Sequence, residues 1–429
     1  MQNKNNRNNT TAFILTLVFP FGGLIYTLNH WREKWAKNTF WLACIYLGAV
    51  LIYWPEGTIL GQGADGGRYV LELMEMYGSN TSLSQILGRY QIDQRTMDLY
   101  QPLMTYFISR FTDNGHVLFA AFAFVFGFFY SRNIWYILKK LPNKKLGNLF
   151  ILVTLYFLIC PITQINGVRM WTALHVFVYA MMPYLVERKK SKLWWLLLTP
   201  LIHFSYLYVV LFAVAFVLLP YRLKSRNNIM LYVAYVFFIV TLFINSINLD
   251  TTGGMLAELS PEAYEDRIEG YVSQDVANRR AEASALNNWY VAGSANILHW
   301  SYNLLMLALL PCLNRHFKNN GRLMQLFVFT LLLAGFANIM ALIPSGGRFQ
   351  LLAQMFKVPL ILWVTMSISQ SDNFRKLVNV ALIFLLIPFV VELRKLFDYF
   401  SITAIVGNFI TVFFWENNIP LISFIKRLI

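Results

Sequence analysis

Apolar residues recur in blocks of membrane-spanning length: roughly 12–28, 38–54, 115–137, 147–162, 169–186, 193–219, 229–246, 295–312, 323–343, 351–369 and 377–391, with a weaker block at 402–415. A transmembrane helix needs about 20 apolar residues. The pattern therefore predicts an all-α polytopic membrane helix bundle with roughly 11–13 membrane segments. No internal repeat and no Gly/Ser- or Pro-rich linker interrupts it, so residues 1–429 read as a single polytopic domain. The block at 12–28 holds Pro20, Gly22 and Gly23 and reads as either a span or a re-entrant segment.

Two long polar stretches break the series, at 55–114 and 247–294. Within the first, Tyr69, Leu73 and Met76 recur at helical spacing, as do Leu99, Leu103, Phe107 and Phe111. These predict short amphipathic helices on the membrane–water boundary, able to roof a cavity. The 193–219 block carries no formal charge but has basic clusters on both sides. A single span would put those clusters on opposite faces. Two short helices meeting near Pro200–Ser205 keep both on one face, and Pro200 removes a backbone donor there. The hairpin tip would then lie within the membrane depth, where backbone must be covered by protein or face a water-filled cavity.

Charge orients this map. Fifteen of the 21 acidic residues fall in 55–114 and 247–294, and neither stretch contains lysine. The other gaps are basic, with Lys139, Lys140, Lys144 and Lys145 in one, Arg188, Lys189, Lys190 and Lys192 in a second, Arg222, Lys224 and Arg226 in a third, and Arg315, Lys318 and Arg322 in a fourth. The positive-inside rule places the basic gaps in the cytoplasm and makes 55–114 and 247–294 two large outer loops. It also accounts for the net charge of +15, so nucleic acid is not an expected partner. With 57% hydrophobic and 13% charged residues, the composition is far from a soluble protein's. Cys44, Cys160 and Cys312 are each isolated in apolar segments, which indicates neither a disulfide framework nor a metal site. The polar N-terminus reads as retained rather than as a cleaved signal. No Walker, G-x-G-x-x-G, H-E-x-x-H or G-x-S-x-G motif is present, which disfavours an ATPase, a zinc protease and a serine hydrolase.

The candidate chemistry lies at the outer turns. Arg169, in Asn166-Gly167-Val168-Arg169, opens a membrane segment, and Arg348, in Ser345-Gly346-Gly347-Arg348, opens another. Charged groups at membrane depth usually face a polar cavity or a partner. An arginine fork suits phosphate, and the glycines would let backbone amides approach an anion. A snorkelling interface arginine is the plainer alternative. His203 sits at the expected hairpin tip and could act as a general base near pH 7, whereas His175, deeper in its helix, reads as packing or a structural hydrogen bond. Asp65 and Asp98 head the proposed amphipathic helices, where a carboxylate either caps the helix or meets a sugar hydroxyl. In the second loop Arg267, Arg279 and Arg280 lie among acids and the aromatics Tyr264, Tyr271, Trp289 and Tyr290, a mixture that suits carbohydrate and equally a solvated helical loop.

The order of these elements resembles the EpsG-like branch of the Wzy-type O-antigen and exopolysaccharide polymerases over roughly residues 38–391. The elements are Gly63, Asp65 and Tyr69 in the first loop, the acid Asp98, the Gly167–Arg169 turn, His203 and Ser205, and the Gly-Arg turn at Arg348. The loop 247–294 has no counterpart in that pattern, and Gly-Ala-Asp at 63–65 is a loose version of it. The resemblance implies a GT-C-like fold in the bacterial inner membrane, with its active site facing the periplasm or exterior. It implies an enzyme that transfers a glycan from undecaprenyl diphosphate to the non-reducing end of a lipid-linked repeat unit, without metal or cofactor. Expected partners are that lipid-linked oligosaccharide, membrane lipids and a polysaccharide chain-length regulator. In these terms Arg169 and Arg348 hold the diphosphate, and His203 or Asp65 serves the acceptor hydroxyl. Asp98, Tyr69, Arg68, Arg279 and Arg280 position sugar. An O-antigen ligase-like transferase and a flippase of lipid-linked oligosaccharide are the competing readings. Two similar halves would favour the flippase, and none is visible. A multi-pass acyltransferase would call for a His-Asp or Arg-x-x-His arrangement at a membrane face, and none is evident in the sequence.

Overall fold

The computed structural model describes residues 2–428 apart from 53–64, 80, 93–97, 220–228, 248, 250, 252–257, 259–271, 286–287 and 415–418. Among the described residues the chain is about 80% helical, with no strand. The N-terminal block folds as α1 (Gln2–Val18) and α2 (Pro20–Asn29), broken where Pro20 opens the second helix. α3 (Ala36–Ala49) follows. The first polar stretch supplies α4 (Asp65–Tyr77), α5 (Leu83–Ile92) and α6 (Tyr100–Ser109). Next come α7 (Gly115–Leu138), α8 (Phe150–Leu158), α9 (Val168–Glu187), α10 (Thr199–Ile202), α11 (Tyr206–Leu218) and α12 (Ile229–Leu242). The remainder comprises α13 (Gln274–Ala285), α14 (Trp289–His316), α15 (Gly321–Met340), α16 (Arg348–Ser367), α17 (Asn373–Tyr399), α18 (Thr403–Val406) and α19 (Leu421–Leu428).

Six described helical stretches are long and apolar enough to cross a membrane: 115–138, 147–187, 289–316, 321–340, 348–367 and 373–399. The chain is a multi-pass membrane protein. Other apolar blocks form shorter helices among the described residues, such as α11 and α12. In the weak block at 402–415 the described residues form no span. They break into α18 and a short 3-10 turn, and the Tyr46 hydroxyl donates to the Thr403 carbonyl at 2.6 Å. The outer surface is apolar where lipid would meet it. Leu211, Val236, Ile383, Phe384 and Val390 on α11, α12 and α17 are all exposed, an arrangement water would disfavour and a bilayer accepts.

α9 is the helix around which the rest is arranged. Residues 170–178 are buried without a break, so it is apolar and covered on every side. Its His175 is fully buried: Asn133 Nδ2 donates to the His175 carbonyl at 2.8 Å, and the imidazole Nε2 lies 3.0 Å from the Cys160 carbonyl. This is the structural role expected of it. Alongside, α3 packs closely on α7. A Cβ at Gly48 would collide with the Ala123 side chain, so the approach of these two helices requires glycine.

The uncharged 193–219 block is a hairpin. From α9 the chain turns back through Arg188, in the left-handed region at φ 59°, into a 3-10 segment, Lys190–Leu198, and then α10. The break falls at His203–Ser205, not at the proline. Pro200 sits in the first turn of α10, where its missing N–H removes no helical bond. The return limb lies against α9, which brings His203 back to the end of α9 that carries Arg169.

The first loop's helices also differ from expectation in one respect. α4 buries Tyr69, Leu73 and Met76 as its pattern predicts. α6 is turned the other way. Gln101, Thr105 and Ser109 face inward while Phe107 and Phe111 are exposed. Gln101 Nε2 donates to Glu72 of α4 at 2.7 Å and to Thr105 at 3.0 Å, and the Arg110 guanidinium donates to the Met76 carbonyl at 2.8 Å. The polar face is used to join α4 to α6, and the apolar face is left for lipid.

Candidate functional site

Asp98 precedes α6 but does not cap it; the N-cap residue is Leu99, without a side-chain hydrogen bond. The Asp98 side chain is completely buried. Its Oδ2 accepts from His203 Nδ1 at 2.8 Å and from the Arg169 guanidinium at 3.2 Å. Its Oδ1 accepts the backbone N–H of Phe204 at 2.7 Å. Three elements distant in sequence thus meet on one carboxylate.

Local backbone explains why they meet. At His203 the chain leaves the helix (φ −151°, ψ 116°). The next amide, that of Phe204, then has no helical acceptor, and Asp98 supplies one. The Leu99 N–H donates to the Leu201 carbonyl at 2.9 Å, which pins the entry of α6 against α10. Arg169 is the second residue of α9, reached through the 3-10 turn Ile162–Gly167. Its guanidinium also lies 6.0 Å from the centre of the buried Tyr69 ring, within cation–π range. Tyr69, Asp98, Arg169 and His203 therefore form one cluster, fed by α4, the approach to α6, the start of α9 and the hairpin tip.

Electrostatics fixes the proton arrangement. Burial alone would raise the Asp98 carboxyl, but the hydrogen bond and charge of His203, the Arg169 guanidinium and the Phe204 N–H outweigh it. They hold the group below the usual carboxylate range. An ionised carboxylate only accepts, so the imidazole Nδ1 must be the donor toward it. The other ring nitrogen, Nε2, then carries the lone pair in the neutral form. Asp98 thus selects the tautomer and orientation of His203, whose side chain remains 17% exposed. An aspartate orienting a histidine that can accept a proton is a general-base arrangement. The sequence placed Asp98 among sugar-positioning groups; in the structure its carboxylate is hydrogen-bonded to His203. This is the His-Asp arrangement that the sequence alone left unseen.

Arg348 opens α16 at a neighbouring turn. Phe349 packs on Tyr206, three residues past His203, with ring centres 5.9 Å apart, so this turn and the hairpin tip are adjacent. Arg348 is exposed and forms no ion pair with a described carboxylate. The role expected of its glycines is different in the structure. The amides of Arg348, Phe349 and Gln350 donate to the carbonyls of Ser345, Gly346 and Gly347, so they are used by the turn and not held open for an anion. Gly346 is required because a Cβ there would strike the Met340 carbonyl, and Ser345 occupies the left-handed region at φ 73°.

The remaining candidates are not among the residues hydrogen-bonded to Asp98. Asp65, at the start of α4, is partly buried and pairs with Arg68 one turn on; neither shows a contact to His203 or Asp98. Arg279, on α13, is exposed, and its Nε lies 3.4 Å from the Asp275 carbonyl of its own helix. Arg280 is on the same helix, and its side chain lies outside the described residues, as do Gly63, Arg267, Tyr264 and Tyr271. At the opposite end of the helices, Cys312 and His316 on α14 meet Asp372, the N-cap of α17, with ligand atoms within 4.8 Å of one another. The His316–Asp372 hydrogen bond of 2.7 Å joins two of the three. The i, i+4 spacing of Cys312 and His316 is visible in sequence; Asp372 is not connected to them until the helices pack.

The fold and cluster define a polytopic all-α membrane protein with a buried polar centre at one end of its bundle. Within that class, the chain belongs to the EpsG family, whose profile matches residues 59–402. The match spans the cluster and all six long apolar stretches. It points to an exopolysaccharide- or O-antigen-polymerase-like function, of glycosyltransferase type. No curated protein and no solved structure matches the chain.

Proposed function

We propose that the protein polymerises a glycan at the outer leaflet of the bacterial inner membrane, with a lipid-diphosphate-linked oligosaccharide as donor and the terminal hydroxyl of a lipid-linked repeat unit as acceptor. The observation that carries this reading is the hydrogen-bonded Asp98–His203 pair beside Arg169. His203 Nε2 accepts the proton of the acceptor hydroxyl. The oxygen forms its bond to the anomeric carbon as the bond from that carbon to the diphosphate oxygen breaks. The departing lipid diphosphate carries the electron pair away. The protonated imidazole is held by the Asp98 carboxylate, and the negative charge growing on the leaving group is stabilised by fixed cations in a water-poor setting.

Arg169 and Arg348 are assigned to that charge, Arg169 from within the cluster and Arg348 from the neighbouring turn. Tyr69 shapes the wall beside Arg169. A membrane-embedded, GT-C-like transferase of this design needs no nucleotide, because its donor already has a good leaving group. Undecaprenyl diphosphate is the proposed carrier.

The test is incubation of the purified protein with defined lipid-diphosphate repeats, read as glycan length. A ladder of multiples supports polymerisation; a single transfer to an unrelated acceptor would make the protein a ligase instead. Arg169→Ala and Arg348→Ala should each abolish the long products with the protein still in the membrane. Lysine at either position should restore little, because the two-pronged geometry is lost. Normal polymer from both alanine variants would remove the diphosphate assignment.

A further inference from the structure

The opposite end of α9 carries a second polar feature that the proposed chemistry does not use. A cavity of about 200 Å³ opens there between the ends of α3, α7 and α9 and the 3-10 segment that follows. Lys37, Arg132, Lys139, Lys189 and Lys192 line it, and no described carboxylate does. Along α9 the lining residue nearest Arg169 is Val178, roughly 14 Å away at 1.5 Å per residue, and the cavity shares no residue with the Asp98 cluster.

A basic membrane boundary is ordinary. What is not explained by that rule is that these cations converge on a concavity and are held in place. Arg132 is half-buried. Its NH1 donates to Ser131 Oγ at 2.8 Å and its NH2 to Asn38 Oδ1 at 2.9 Å, and its guanidinium carbon sits 4.1 Å from the Phe128 ring centre and 4.7 Å from that of Trp41. Lys192, also half-buried, donates to the Tyr179 hydroxyl at 2.5 Å. The nearest carboxylate of the α9 end, Glu187, is occupied by Lys140 and Lys189. Gathering several positive groups around one hollow costs repulsion that a bound anion relieves. The fork of Arg132 and the point charges of the lysines are the donor set that phosphate oxygens accept from.

We propose that this cavity binds a phosphate-bearing anion, and that Lys37, Arg132 and Lys192 form its floor with Lys139 and Lys189 at its rim. The shared chemistry is a phosphate mono- or diester, supplied either by an acidic phospholipid headgroup at the membrane surface or by a soluble phosphorylated molecule.

The test uses the full-length protein in neutral detergent. Native mass spectrometry is run after exposure to phosphatidylglycerol or to phosphatidylcholine, and calorimetry follows a titration with inorganic pyrophosphate. The paired substitution Lys37→Gln/Lys192→Gln should weaken binding roughly twenty-fivefold, at about fivefold per cation. Lys144→Gln/Lys145→Gln, in the basic loop outside the cavity, should leave it unchanged. Retention of phosphatidylglycerol without a pyrophosphate signal assigns the site to a lipid headgroup. Pyrophosphate binding that the Lys37/Lys192 substitution weakens, without lipid preference, assigns it to a soluble anion. Should the Lys37/Lys192 variant fail to fold, Lys139→Gln/Lys189→Gln at the exposed rim repeats the measurement. Absence of binding to either probe overturns the proposal, as does an equal loss in the loop control or no loss in either cavity variant. None of these readouts involves polymer formation, and pyrophosphate binding that the Lys37/Lys192 substitution leaves unchanged belongs to Arg169 and Arg348, not to this cavity.

Discussion

At the scale of single residues the account turns on Asp98. A fully buried carboxylate that accepts from an imidazole, a guanidinium and a backbone amide is a structural keystone. Asp98→Ala would remove the acceptor of the Phe204 N–H and the carboxylate that pairs with Arg169, a loss of about 3 kcal/mol. Folding lowers the Asp98 carboxyl from its ordinary value near about 4. Its stabilising contribution is therefore complete above that ordinary value and is lost as pH falls through the lowered folded-state value. Melting of the wild type should drop on acidification below about pH 4, and Asp98→Asn should lack that component; identical acid profiles would contradict the arrangement. Arg169 and His203 were legible in the sequence because a charge or an imidazole in an apolar block is conspicuous. The partnership of Asp98 with His203 was not, since it spans 105 residues and rests on a backbone break whose exact position no pattern specifies. Asp65 and Arg68 carried the same acidic and basic signals, yet they pair with each other.

At the scale of elements, periodicity located the helices well and their faces less well. α4 and α6 form where helical spacing predicts them, but α6 exposes its apolar stripe. Spacing reveals a face without saying whether water, lipid or protein meets it. The hairpin within 193–219 was legible from charge, because two basic flanks demand an even number of passages. A feature whose partner the sequence does not reveal is Lys357, a charge inside the apolar block 351–369 that is buried in the middle of α16. Its ammonium donates to Asn303 Oδ1 of α14 at 2.6 Å, and the amide of Asn303 lies 3.0 Å from His299 Nε2. A buried cation is costly unless its hydrogen bonds are met. Asn303→Leu should therefore lower the melting temperature markedly, and Lys357→Met, which removes the charge with the need for a partner, should be tolerated far better. The reverse order, measured by thermal unfolding in detergent, would show that the lysine does not depend on Asn303.

At the scale of the whole molecule, the distribution of charge and the fold agree on two dissimilar ends. One carries Asp98, Arg169, His203 and Arg348; the other carries the basic cavity and the His316–Asp372 contact. The positive-inside rule predicts that the first end faces outside. A cysteine at Ser273 should then react with a membrane-impermeant reagent on intact cells, and one at Lys145 only after permeabilisation; the opposite pattern would invert the topology. The most direct test of the central claim, that Asp98 orients His203 for proton removal, is the initial rate of chain extension in vitro by Asp98→Asn and His203→Ala relative to wild type. The account predicts that each, still inserted and folded, is slower by about 10²–10⁴-fold, with the double variant no slower than the worse single one. Extension at the wild-type rate in either single variant would contradict it.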